Sequence, residues 1–177
     1  MWLAMPLRLA HAAADSRAEA DAQSLLGDVF TVQGKLAEAQ AAYAEYLTIS
    51  RRLAEQDPSN ADWQRELAVA CSRVGDVLAT EGKLAEAQAV FGESLGIIRR
   101  LAEKDPNNAG WLHDLAVANL YSARLESEAR RRDAALPLYK EASRIYRALV
   151  KRAPGFAEWA REKEMIDSDL ELLLRQP

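Results

Sequence analysis

The chain is poor in the residues that carry most protein chemistry. It has one cysteine, Cys71, and two histidines, His11 and His113, among 177 residues. A lone cysteine makes no internal disulfide and no thiolate-rich metal centre, which fits a reducing, cytoplasmic compartment. Proline and glycine are scarce, at six and eight, and this excludes a collagen-like or loop-rich disordered chain. Strand-type clusters of Val, Ile, Thr and aromatic residues are missing. No apolar run approaches the ~18 residues that span a bilayer, so no membrane segment is expected. The net charge of −4 is too mild and of the wrong sign for a dedicated nucleic-acid binder.

What remains is Ala, Leu, Glu and Arg, all strong helix formers, in a chain that is 49% hydrophobic. That length and composition bury a core without disulfides or metals and point to an all-α fold. The opening "MWLAMPLRLAHAAADS" lacks a basic n-region, and Pro6 and Arg8 interrupt its apolar stretch. It reads as an irregular leader that carries His11, not as a cleaved signal.

The strongest internal feature is a repeat. "GDVFTVQGKLAEAQ" begins at Gly27 and "GDVLATEGKLAEAQ" at Gly75, 48 residues later. "RRLAEQDPSNADWQRELAV" at Arg51 recurs from Arg99, also 48 residues on, and more loosely from Arg147. Trp63, Trp111 and Trp159 are therefore equivalent, as are Pro58, Pro106 and Pro154.

Each repeat predicts two helices. In the second, Asn60 is positioned to cap a helix from about 61 to 81, with Leu67, Cys71, Val74 and Leu78 on its inner stripe. Gly82 supplies a left-handed turn. A helix from about 83 to 104 follows, with Leu84, Ala87, Phe91, Leu95, Ile98 and Leu101 facing inward, and Asp105-Pro106 ends it. The repeats cover about 12–57, 60–105 and 108–153, and a capping helix covers about 156–175. Gly27 and Gly75 stand mid-helix, where glycine costs about 1 kcal/mol. Close approach of the partner helix at Ala39 and Ala87 is the expected compensation. The tryptophans are expected to pack near Leu53, Leu101 and Leu149, so that Trp111→Ala lowers stability.

Gly75, Leu78, Gly82, Ala87 and Phe91 follow the spacing of the tetratricopeptide repeat, as do Gly27, Phe30, Gly34, Ala39 and Tyr43. The third repeat keeps only Ala135 and Tyr139, with Ala123, Glu126 and Arg130 at the other sites. The chain thus resembles that family in a lengthened form, 48 residues against the usual 34. The extra length amounts to nearly two helical turns at each end, so each stripe keeps its direction. The resemblance implies a right-handed α-α superhelix of three helix pairs plus the capping helix, like the long arrays of many bacterial regulatory proteins.

The Gly-Lys step is not a phosphate loop. Its glycines are seven apart, leucine follows the lysine, and helix flanks it on both sides. Cys71 falls on an apolar stripe, as a core thiol does. His113 sits near the start of a helix with no second ligand at metal spacing in the sequence. No catalytic residue, metal or cofactor is expected, and the chain does not read as an enzyme. Arg124 to Arg152 holds nine basic residues against four acidic. Within it, "RRR" at Arg130 to Arg132 reads as an exposed turn, with contact to an acidic partner or phosphate as the sharper alternative. Arg130 at the turn-glycine position implies either a rebuilt turn or frayed helices.

By resemblance, the binding surface is an inner groove lined by the first helix of each pair. Its positions here are Ser24, Asp28 and Thr31, then Ser72, Asp76 and Ala79, then Leu120, Arg124 and Ser127. Tyr121 and Arg73 lie at its edge. Relatives that clamp a peptide carboxylate carry lysine and asparagine where this chain has Ser-Asp, Ser-Asp and Leu-Arg, so that role is not implied. The expectation is a protein-interaction scaffold or adaptor that binds a peptide or helix of mixed charge. A secretion-type chaperone, which the long period disfavours, and a self-assembling structural module are the alternatives.

Overall fold

The computed structural model describes the backbone of residues 4–175 and the side chains of residues 13–175. The described residues form seven helices and no strand: α1 (Ala4–Val32), α2 (Leu36–Gln56), α3 (Ala61–Thr80), α4 (Leu84–Lys104), α5 (Ala109–Glu128), α6 (Arg132–Arg152) and α7 (Ala157–Arg175). The chain divides into two compact units, Met1–Gly82 and Lys83–Pro177. In the first, α2 packs on both α1 and α3. In the second, α4 packs on α5, α5 on α6 and α6 on α7. The division falls at the turn of the second sequence repeat.

Helix ends follow local chemistry. The Asn60 side chain accepts from the N–H groups of Asp62 and Trp63, and Asn108 does the same for Trp111. These capping bonds satisfy amides that have no partner within the helix. Ahead of each cap, Asp57 and Asp105 accept the N–H two residues on, at 3.0 Å. Gly34 and Gly82 take φ of 73° and 76°, as a left-handed turn requires. The N-terminal segment corrects the expectation of an irregular leader. Helix α1 begins at Ala4, with His11 within it and Pro6 in its first turn, where proline displaces no helical hydrogen bond.

The third turn is neither rebuilt nor frayed. Arg130 adopts φ 57°. The Arg130 and Arg131 N–H groups bond the carbonyls of Ser127 and Glu126 at 2.9 and 2.8 Å, as Gly34 and Lys35 bond Thr31 and Phe30. The two helix ends hold Arg130 in a conformation that costs an L-residue roughly 1–2 kcal/mol. Arg130→Gly is therefore expected to raise the thermal midpoint by a few degrees, read by circular dichroism, with the gain trimmed by glycine's greater freedom when unfolded.

The core follows the predicted stripes. Leu67, Cys71, Leu78, Ala87, Phe91, Ile98 and Leu101 are buried, while Val74, Leu84 and Leu95 are half-buried. Trp63 packs against the cluster that holds Leu53, as expected, and Trp111 and Trp159 are half-buried. Gly27 is held tightly against its partner helix. A Cβ there would collide with the Tyr43 ring, at 2.5 Å from Cδ1 and 2.7 Å from Cζ. The partner helix α2 does approach closely, as expected, and the nearest atoms belong to the Tyr43 ring.

Candidate functional site

The expected surface residues are described unit by unit. In the first, Asp28 of α1 is the centre of a polar cluster. It accepts the Tyr43 hydroxyl at 2.6 Å and pairs with Arg73 of α3 at 3.5 Å. Burial first, and then the Asp28 carboxylate, push the Tyr43 phenol up from its ordinary pKa. Thr31 donates to its own helix at the Gly27 carbonyl and lies 3.4 Å from the Tyr43 hydroxyl. A small cavity of about 80 Å³ is lined by Thr31, Tyr43, Arg73, Asp76 and Thr80 among others. Ser72 is half-buried and donates to the Ala68 carbonyl at 3.1 Å, while Ser24 and Ala79 are half-buried beside the cluster's helices. The first unit thus assembles Asp28, Thr31 and Asp76 around Arg73 and Tyr43.

In the second unit Arg124 reaches Asp169 of α7, with its Nε and Nη2 donating at 3.2 and 3.0 Å. A cleft of about 290 Å³ is lined by Arg124, Ser127, Glu128, Tyr139, Asp169, Leu172 and Leu173. Ser127 donates to the Ala123 carbonyl at 3.0 Å. Leu120 is only 6% exposed, so it belongs to the core and offers little surface. Tyr121 stacks on Phe91 of α4, with ring centroids 5.5 Å apart and planes 5° from parallel.

The two clusters are one device with its charges exchanged. Asp28 and Arg124 are 96 residues apart, as are Arg73 and Asp169. The carboxylate–guanidinium pair of the first unit therefore recurs in the second with acid and base on swapped positions. Asp169 was not among the expected site residues. Its signal lay in the register of the repeat, where an acid replaces Arg73 just as a base replaces Asp28.

Two arginines of the "RRR" segment have partners within the fold. Arg131 donates to Glu126 and to Gln88 of α4, and Gln88 donates in turn to Glu126. Glu126 stands where the other repeats carry Phe30 and Leu78, and the Arg131 pair is what lets a carboxylate lie 7% exposed there. Arg132 donates to the Leu174 carbonyl.

His113 lies near the start of α5, as the sequence places it. The fold brings Glu162 of α7 to its Nε2 and Asp114 to its Nδ1, each at 3.6 Å, and the Tyr146 ring meets it edge-on. Tyr146 donates its hydroxyl to Glu162. The Asp114 carboxylate raises the His113 pKa against the opposing effect of burial, and Glu162 and Glu158 add to the rise. Among the described residues no group of three or more ligating side chains could hold a metal ion.

The sign of the resulting pH dependence is fixed. A raised histidine pKa gives stability that is fully present below about pH 6.5 and is lost as pH rises through the folded value. The carboxylates held below their ordinary range are Asp57 by Ser59, Glu141 by Arg144, and Asp167 by Lys163 and Ser143 against its own burial. Their contributions vanish only in acid. Between pH 6 and 8 the thermal midpoint is expected to fall by about 1–3 °C, the scale of a partly exposed pair. His113→Gln should flatten that slope.

No family model matches the chain, and no curated protein matches it. No described helix is long and apolar enough to cross a membrane.

Proposed function

We propose that this chain is a non-enzymatic interaction scaffold of the tetratricopeptide type, which binds protein partners through the polar faces of its first helices, α1, α3 and α5. The observation that carries this reading is the cross-linked ion pair on those faces. Asp28 with Arg73 ties α1 to α3, and Arg124 with Asp169 ties α5 to the last helix, α7, while leaving each side chain 28–42% exposed. Such side chains are already ordered and already partly desolvated, so a partner forfeits little rotamer freedom in meeting them. Acid and base at each pair suit an extended segment or amphipathic helix of mixed charge.

The test is charge reversal in the first unit. Asp28→Lys with Asp76→Lys places two cations beside Arg73, and circular dichroism establishes that the helices persist. Partners recovered by the wild-type chain from a cell extract are expected to be depleted about tenfold or more on the variant. Equal recovery by a folded variant assigns binding to another surface and overturns the reading.

A further inference from the structure

The register of the repeat relates the two hollows as well as the two ion pairs. The cavity of about 80 Å³ in the first unit and the cleft of about 290 Å³ in the second share lining positions 96 residues apart. Tyr43 becomes Tyr139, and the hydroxyl of Thr31 becomes that of Ser127. Arg73 becomes Asp169, and the apolar wall at Val77 becomes Leu173. The hollow is therefore one feature of the repeat, built twice. The middle repeat shows that folding does not require it. At the positions of Thr31, Tyr43 and Arg73 it carries Ala79, Phe91 and Tyr121. The small hydroxyl and the charge are gone, Phe91 replaces the phenol, and the Tyr121 ring stacks on it. The polar lining thus goes with the positions where no ring of the chain covers the second helix's tyrosine.

The chemistry of both hollows suits a cation. Asp28 accepts the Tyr43 hydroxyl and meets Arg73 through one oxygen, Oδ1. Asp169 likewise accepts both Arg124 donors at Oδ2. Among the described residues, no hydrogen bond or ion pair engages the second oxygen of either carboxylate, and the two side chains are 41% and 28% exposed. A further carboxylate lines each hollow, Asp76 in the first unit and the exposed Glu128 in the second. Two acids thus stand with one guanidinium at each position. Arg132, which replaces Leu36 in register, donates to the Leu174 carbonyl. Leu36 and Val77 in one hollow, and Leu172 and Leu173 in the other, offer an apolar wall to an alkyl stem. Resting on the scaffold reading above, we infer that the two hollows are copies of one socket for an arginine side chain of a protein partner. Arginine suits it better than lysine, because its planar fork of donors can engage two carboxylates and its charge is the more weakly hydrated.

The probe is N-acetyl-arginine amide, titrated into the isotope-labelled full chain and followed by amide chemical shifts. Saturable shifts are expected around Asp28 and Arg73 in the first unit and around Arg124 and Asp169 in the second, at millimolar probe. The neutral isostere N-acetyl-citrulline amide is expected to bind at least about tenfold more weakly, and salt to weaken the arginine probe. Tyr43→Phe/Arg73→Tyr installs the ring pair of the middle repeat in the first unit. It is expected to abolish the first-unit shifts and leave the second-unit shifts unchanged, with dispersed first-unit amides establishing that the helices persist. The citrulline comparison uses the wild-type chain, so it decides the matter even where the variant does not fold. No saturable shift with the arginine probe overturns the inference, as do shifts confined to other surfaces. Equal binding by the citrulline probe or by N-acetyl-lysine amide also overturns it. The scaffold reading fails separately: arginine binding together with equal partner recovery by Asp28→Lys/Asp76→Lys overturns that reading and leaves the sockets. Loss of partners on that variant without arginine binding does the reverse.

Discussion

Tyr146→Ala is expected to lower stability by about 3–5 kcal/mol, the range for deleting a large buried aromatic. For a chain of this length that is a fall in thermal midpoint of roughly 10 °C. Tyr146 is fully buried, and it ties three helices of the second unit together. From α6 its ring meets His113 of α5, and its hydroxyl donates to Glu162 of α7. Truncation opens a cavity that fixed helices cannot fill, and it leaves the half-buried Glu162 without its neutral donor. Tyr146→Phe separates the two losses, since it keeps the ring and removes only a hydrogen bond to a charged group, worth about 1.5–3 kcal/mol. Urea unfolding of the three proteins, followed by far-UV circular dichroism, measures the ladder. Equal costs for Phe and Ala would place all the energy in the hydroxyl and refute the packing role. The pH slope supplies a second readout: without the Tyr146 bond, Glu162 is freer to pair with protonated His113, and the fall between pH 6 and 8 steepens.

Much of this architecture was legible before any coordinates, for a physical reason. Helix ends are local events: a capping asparagine, a proline after an aspartate and a glycine at the left-handed turn each act within a few residues. The 48-residue register printed those signals more than once. The core stripes were legible too, because periodicity is written along a single helix. What escaped depends on pairs that are distant in sequence. Glu162 lies 49 residues from His113, and nothing near His113 announces it. The Asp28–Arg73 contact and its reversed copy were readable in principle from aligned repeats, but only by comparing two positions together. Arg130 is instructive in another way. Its neighbours' capping bonds outweigh its steric cost, so the turn survives without its glycine.

Gly27 brings local propensity and tertiary packing into direct opposition. In an isolated helix Gly27→Ala would stabilise by about 1 kcal/mol. In the folded chain it is expected to destabilise, because overpacking of a filled site costs about 1–3 kcal/mol. The obstacle is the Tyr43 ring, 3% exposed and anchored through its hydroxyl to Asp28, so it is no loose end that can swing aside. A net loss of about 1–2 kcal/mol is expected in urea unfolding, and a gain would mean that the ring relaxes freely. The third repeat points to the compensation. There Ala123 stands at the glycine site, fully buried, with Tyr139 at the tyrosine site. The residue after Ala123 is Arg124, whose partner is Asp169. There the phenol meets the Ser127 hydroxyl and the Arg124 guanidinium, not a carboxylate. The side chain that follows the small residue is therefore expected to set how near the ring is drawn, and with it whether a methyl group fits. Transplanting the exchanged pair tests that coupling. Gly27→Ala combined with Asp28→Arg and Arg73→Asp is expected to be more stable than Gly27→Ala alone. If the triple variant is no better, the ring is held by packing alone, and the ion pair has no part in admitting the methyl group.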